Sequence, residues 1–144
     1  MNRLRAILER MVSRKPITFG EALADETRGE TLVQGKQTWE LAETEKNDPS
    51  TMVKCCEAEI AAFDATGLAP APYYFERVAI LARKQKDYLL EIEYCEKYIN
   101  LIQRWKANPE SKKQANIEKS PRYKAICKRL PKAKILYERS LGGT

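Results

Sequence analysis

The stretch that decides the fold is residues 84–101, which read KQKDYLLEIEYCEKYINL. Its apolar residues recur at intervals of three and four, which is the period of an α-helix and not of a strand. Wound at about 100° per residue, the helix over 87–105 carries two adjacent apolar stripes. A helix with one neighbour needs one stripe, so this helix is predicted to contact at least two neighbours. The first stripe holds Tyr88, Ile92, Cys95, Ile99 and Ile102, and the second holds Leu90, Tyr94, Tyr98, Leu101 and Trp105.

The helix before this one is predicted over 48–66 from its two ends. Asp48 is a typical N-terminal cap, and Pro49 fits the first helical position because its missing N–H would have no partner there. Gly67 is typical of a helix C-terminus. The spacing predicts that four residues of this helix face inward: Met52, Cys56, Ile60 and Phe63.

The positions of two prolines predict two further helices. One is predicted over 72–85 after a proline start, and a basic C-terminal helix is predicted over 119–144 after a Ser-Pro dipeptide. Pro131 inside the C-terminal helix predicts a kink. The segment 106–118 is predicted to be a solvated linker, and residues 48–105 are predicted to form the core three-helix unit.

Residues 1–47 are predicted to hold an N-terminal helix followed by a loosely structured acidic segment. The segment 37–46 reads as a short helix that would place Trp39 and Leu41 near the core. Together these elements predict an all-α fold, a helical bundle or short solenoid of about five helices.

Residues 72–101 resemble one tetratricopeptide-type helical hairpin, with two antiparallel helices joined by a lysine-rich turn. Phe75, Val78 with Ala79, and Ala82 stand where that family has a large aromatic, Leu-Gly and Tyr. Glu91 and Cys95 stand where it has a small residue and an aromatic. The resemblance implies a helical scaffold whose groove binds peptides or proteins, and it implies no chemistry.

Composition argues against an enzyme. The chain has no histidine, which removes the commonest general base, and no glycine-rich phosphate loop. The four cysteines (Cys55, Cys56, Cys95 and Cys127) lack the spacing of a zinc site or a disulfide framework. The sequence therefore predicts reduced thiols in a cytoplasmic protein with no catalytic residues, no metal and no cofactor. It also predicts no membrane segment.

Charge is concentrated in the last third of the chain. Residues 101–144 hold 12 basic and 3 acidic residues, whereas the first hundred residues carry a net negative charge. Three interpretations of such a block stay open: it contacts phosphate, an acidic protein surface, or only water. Contact with phosphate would make nucleic-acid binding the alternative function. The candidate residues are Lys119, Arg122, Tyr123, Lys124, Lys128, Arg129, Lys132 and Lys134.

A protein partner is favoured over nucleic acid, with an adaptor or an inhibitor as the predicted role. The candidate partner-binding residues are Tyr73, Arg77, Ile80 and Lys84, which lie in one row on helix 72–85, and Glu91, which falls between the two stripes. Two other interpretations stay open: the row covers another part of the same domain, and Glu91 forms a salt bridge with a neighbouring helix. A homodimer is a further way to cover two apolar stripes.

Overall fold

The computed structural model describes residues 2–13 and 15–142, and the regular elements of these residues are helices apart from one short two-stranded ribbon. The prediction of an all-α fold is confirmed. The elements are α1 (Asn2–Met11), α2 (Phe19–Glu26), β1 (Leu32–Val33), β2 (Lys36–Gln37), α3 (Thr38–Leu41), α4 (Pro49–Thr66), α5 (Tyr73–Lys84), α6 (Tyr88–Ala107), two 3-10 helices (Pro109–Lys113 and Ile117–Lys119) and α7 (Pro121–Gly142).

Helix α6 lies between two neighbours, as its two stripes predict. It packs most extensively against α7 and α5, and α4 packs against the other side of α5. Only residues 85–87 connect α5 to α6, so the two helices form an antiparallel hairpin. One large core runs through α4, α5, α6 and α7, with Phe75, Tyr98 and Ile126 among its fully buried side chains.

Local capping explains where the helices of this array begin and end. The Asp48 carboxylate accepts a hydrogen bond from the Ser50 N–H (3.2 Å), and Pro49 follows at the first helical position. Gly67 ends α4 in the left-handed region (φ 74°), where a side chain would be strained. Asp87 caps α6 by accepting from the Leu90 N–H (3.1 Å). The predicted boundaries of α4 are therefore confirmed.

The N-terminal region has a small core of its own. Ile7 of α1, Ala22 and Leu23 of α2, and Ala65 of α4 form this second cluster. Trp39 is not near the core, because its side chain is 70% exposed. Helix α3 is a single turn, and Leu41 is the residue of that turn that is buried, so Trp39 is left on the outer side.

The segment between α6 and α7 is hydrogen-bonded to the packed helices. The Gln114 side-chain oxygen accepts hydrogen bonds from the Trp105 indole N–H (2.9 Å) and from the Ala69 N–H (3.1 Å). The segment predicted as a solvated linker therefore bridges α6 and the α4–α5 connection. Pro131 lies inside α7, which continues to Gly142. No helix in the described part of the chain combines the length and apolarity needed to cross a bilayer.

Candidate functional site

Helices α5 and α7 meet along a line that has a polar contact near each end. At the first contact, Arg122 at the start of α7 donates a hydrogen bond from Nη1 to the Glu76 carboxylate (2.8 Å). The same guanidinium lies over the Tyr73 ring, 4.8 Å from its centroid, in a cation–π contact. One arginine thus binds two residues of α5.

The second contact is a buried ion cluster that joins three helices. Arg83 of α5 approaches the Glu91 carboxylate of α6 with Nε at 3.0 Å and Nη2 at 2.8 Å. Arg129 of α7 donates from Nε to the same carboxylate at 3.0 Å. Glu91 is fully buried, and a buried carboxylate is tolerated only when it is paired and hydrogen-bonded. Two guanidinium groups supply this pairing.

The position of Glu91 corrects its prediction as a partner-binding residue. Its side chain has no exposed surface with which to contact another molecule. The salt-bridge interpretation is the one that the geometry shows. Glu91 affects the surface indirectly, because its carboxylate holds the side chains of Arg83 and Arg129, which both remain partly exposed.

Ile80 lies between the two polar contacts. It follows Glu76 by four residues and precedes Arg83 by three, so all three share one face of α5. Its side chain is half-buried, and Ala125 is the small, half-buried residue between the two arginines of α7. We call this surface the seam, defined by Tyr73, Glu76, Arg77, Ile80, Arg83 and Lys84 of α5, Glu91 of α6, and Arg122, Ala125 and Arg129 of α7.

The seam carries a net charge of +3, because it holds five cations and two carboxylates. Arg77 hydrogen-bonds neutral oxygens, the Lys46 carbonyl (2.9 and 3.0 Å) and the Asn47 side chain (2.8 Å), and it forms no ion pair within residues 2–13 and 15–142. The structure therefore brings the predicted row on α5 and part of the predicted basic set on α7 into one surface.

Two residues of the predicted row also hold the chain that precedes α4. The Tyr73 hydroxyl donates to the Ala42 carbonyl (2.7 Å), and Arg77 binds the carbonyl of Lys46. For these two residues, the interpretation that the row covers another part of the same domain fits the contacts. Ile80 is half-buried and Lys84 is exposed at the C-terminal end of the seam.

The predicted nucleic-acid residues divide into engaged and available side chains. Tyr123 is 8% exposed and packs beside Tyr98, with ring centroids 6.2 Å apart. It has no free face on which a base could stack, so its prediction as a stacking residue is corrected. Arg122 and Arg129 are held in the seam, and the Lys134 ammonium lies 3.7 Å from the Glu96 carboxylate.

Four predicted residues remain exposed and form no ion pair within the described part of the chain: Lys119, Lys124, Lys128 and Lys132. The last three recur every four residues along α7, and we call them the lysine row. Like charges at this spacing repel each other by ~0.2–0.5 kcal/mol per pair. An anion bound along the row would relieve that repulsion.

Glu59 is a titratable group that the sequence reasoning missed. It is half-buried on α4, and within residues 2–13 and 15–142 no cation pairs with it. Burial raises its pKa to about 7. The signal was available, because Glu59 lies three residues after Cys56 and four before Phe63, within the inward stripe of α4.

The cysteines are positioned as core residues. Cys55, Cys56 and Cys95 are fully buried, and all four cysteines are free thiols. Burial raises the pKa of Cys55 to about 11 and that of Cys95 to about 12, and it raises the pKa of Cys56 further still. A reactive thiol needs the opposite shift, because the thiolate is the nucleophile.

Compared with protein-family models, curated proteins and solved structures, the chain has no match.

Proposed function

We propose that this chain is a non-enzymatic protein-interaction module of the cytoplasm, an adaptor or inhibitor that binds a larger protein or complex through the seam. The observation that supports this most is the arrangement around Ile80. A half-buried aliphatic side chain lies between arginines that other residues already hold in place. Arginine side chains in such partly desolvated positions are typical of binding hot spots.

The held arginines favour binding for an entropic reason. A free arginine side chain loses about 0.5–1.5 kcal/mol of conformational freedom when a partner immobilises it. Arg122 is held by Glu76 and Tyr73, and Arg129 by Glu91, so much of that cost is met within the folded chain. A partner then meets donors that are already in position.

The charge of the seam indicates the chemistry of the partner. A surface of net charge +3 with one aliphatic side chain at its centre complements an acidic protein segment that presents an apolar residue. The resemblance of residues 72–101 to a tetratricopeptide-type hairpin supports the same kind of role, since such scaffolds bind peptides and proteins.

The test is affinity capture from the native host with two variants of the chain. In the first variant, Ile80→Asp and Lys84→Glu change the seam at residues that make no polar contact within it. In the control, Leu89→Asp and Lys54→Glu make the same two kinds of change at exposed positions outside the seam. Arg77 is left intact, because its loss would release the Lys46 carbonyl.

We expect a discrete protein to be captured by the parent chain and by the control, and lost by the Ile80/Lys84 variant. Every capture is repeated after nuclease treatment, which removes partners held only through nucleic acid. A partner that both variants retain equally would show that the seam is not its binding surface.

The lysine row favours nucleic-acid binding as a second candidate function. Three exposed lysines in line can neutralise about three phosphates, which for duplex DNA predicts a slope of about −3 in log K against log salt. Replacing Lys124, Lys128 and Lys132 by Gln is expected to bring the slope close to zero. The matched control replaces the exposed Lys36, Lys54 and Lys112 by Gln. Binding that does not depend on salt would exclude this function.

A further inference from the structure

The N-terminal region contains a surface pocket of about 720 Å³ between α2 and the segment that runs from β1 to α3. Trp39 lies in its wall and is 70% exposed, although a tryptophan buries more apolar area than any other residue when it is covered. An aromatic side chain left open beside a pocket marks a surface suited to a partner. The other apolar side chains of the wall are Ile17, Phe19 and Leu32.

Carboxylates surround this apolar wall. Glu21, Asp25 and Glu40 line the pocket, and all three are exposed. Hydrogen bonds from Thr18 lower the pKa of Glu21, so its carboxylate is ionised at neutral pH. The described lining residues include no lysine or arginine, and the nearest cation is Arg10, whose Nε lies 3.9 Å from the Asp25 carboxylate. We call this the Trp39 pocket.

Helix α7 presents the complementary arrangement. Ile135 is 44% exposed on the side of α7 that faces away from the core. Lys128, Lys132 and Arg139 lie seven and three residues before it and four after it, so all four side chains share one helix face. The three cations are exposed and form no ion pair in the described part of the chain. We call this the Ile135 face.

The two surfaces also differ in charge over their surroundings. Residues 21–48 hold eight acidic and three basic residues, whereas residues 119–142 hold eight basic residues and one acidic residue. Opposite charges of this size attract two copies of the chain in a defined orientation. The same complementarity opposes contact between two pockets or between two Ile135 faces.

We propose that the protein associates with itself head to tail, so that Ile135 of one copy packs on Trp39 of a second copy. The three cations of the Ile135 face then lie against the three carboxylates of the Trp39 pocket. The contact joins two different surfaces, so it is heterologous and leaves one pocket and one face free for the next copy.

A contact of this size is weak and depends on salt. One pocket and one helix face bury less area than a standard interface, so we expect a dissociation constant on the order of 100 µM. Ile80 and Lys84 take no part in this contact, so the self-association and the proposed partner binding can be tested independently of each other. Lys128 and Lys132 also belong to the lysine row, so bound nucleic acid is expected to compete with the second copy.

The test is sedimentation of the full chain between about 10 µM and 1 mM in low salt. We expect the average mass to rise with concentration and the rise to weaken in about 0.5 M salt. Trp39→Ala and Ile135→Asp should each raise the dissociation constant at least about 30-fold, as loss of a hot spot does. Leu89→Asp is the control, because Leu89 is a comparably exposed aliphatic residue on α6.

A mixing experiment identifies the contact itself. The Trp39→Ala chain keeps its Ile135 face, and the Ile135→Asp chain keeps its Trp39 pocket. Each chain alone is expected to be monomeric, whereas a mixture should form a one-to-one pair that grows no further. Circular dichroism of both variants checks that they remain folded.

Three outcomes would overturn the proposal. They are a parent chain that stays monomeric up to about 1 mM in low salt, variants that associate as the parent does, and a mixture that stays monomeric while the parent associates.

Discussion

Glu91 in the seam and Glu59 on α4 both lie on the inward side of the helical array, but their surroundings differ. Glu91 is fully buried and receives hydrogen bonds from Arg83 and Arg129. Glu59 is half-buried beside Tyr74 and Tyr98, whose pKa values its charge helps to raise, and no cation in the described residues pairs with it. Within the described residues, neighbouring helices therefore supply cations to Glu91 and none to Glu59, whose pKa is raised by burial.

The largest effect is expected from removing the paired carboxylate. Glu91→Ala leaves two guanidinium groups without their partner and is expected to lower the free energy of unfolding by about 3 kcal/mol. This is the lower end of the range for buried pairs, because both arginines are partly exposed. Urea unfolding measures it. Glu57→Ala, an exposed change on α4, should stay within about 0.5 kcal/mol. A loss below about 1 kcal/mol for Glu91→Ala would contradict the importance of the ion cluster.

Replacing the unpaired carboxylate of Glu59 is expected to raise the free energy of unfolding, and the size of this gain is expected to depend on pH. The pKa of Glu59 is raised to about 7 in the folded chain, from the ordinary value of 4.5. Between these values the folded state holds a proton that the unfolded state has lost, so stability falls as pH rises from about 4.5 to about 7. Glu59→Gln should therefore raise the free energy of unfolding at pH 8, by about 1–2 kcal/mol, and change it little at pH 4.

The measurement for Glu59 is the difference between the variant and the parent in urea unfolding across this pH range. A difference that does not change with pH would show that Glu59 titrates at the same pH in the folded and unfolded chain.

A buried neutral hydrogen bond should have an intermediate effect. The Tyr98 hydroxyl donates to the Pro70 carbonyl at 2.7 Å in a buried environment. Tyr98→Phe removes the donor and leaves the carbonyl without its partner, at an expected cost of about 1 kcal/mol. Thermal unfolding compares it with Tyr88→Phe, whose ring lies at the half-buried start of α6. Equal stability of the two variants would mean that the Tyr98 hydrogen bond contributes nothing.

The smallest effect is expected from an exposed ion pair. Lys134 and Glu96 lie 3.7 Å apart and both are about half exposed. Water and salt screen such a pair, so Lys134→Gln should change the free energy of unfolding by less than about 0.5 kcal/mol. A larger loss would show that this pair fastens α7 to α6 as the Glu91 cluster does.

The helical array could be predicted because its signals are local. The spacing of Met52, Cys56 and Phe63 reports which side of α4 is buried, whatever that side packs against. Proline at the first helical position and glycine after the last one act through their own backbone preferences. The two stripes of α6 predicted two neighbouring helices, but they did not identify these helices as α5 and α7.

The N-terminal region was harder to predict, because α3 is a single turn and one turn has no period. Trp39 and Leu41 are equally apolar in the sequence, and only packing decides which of them is covered. Packing also decided the position of Tyr123, which was predicted to be exposed and is buried. Its basic neighbours suggested an exposed stacking ring, but Tyr123 lies on the buried side of α7 with Ile126 and Ala133, and its ring packs beside Tyr98.

The sequence by itself determined helices α4 to α7, most of their boundaries and the inward faces of α4 and α6, because these depend on spacing and on backbone chemistry over a few residues. The tertiary structure alone decided which charges meet. Arg83, Glu91 and Arg129 come from three helices, and up to 46 residues separate them along the chain. Side-chain ions attract each other through space, so their pairing exists only once the helices are packed, and so does the seam that this pairing holds together.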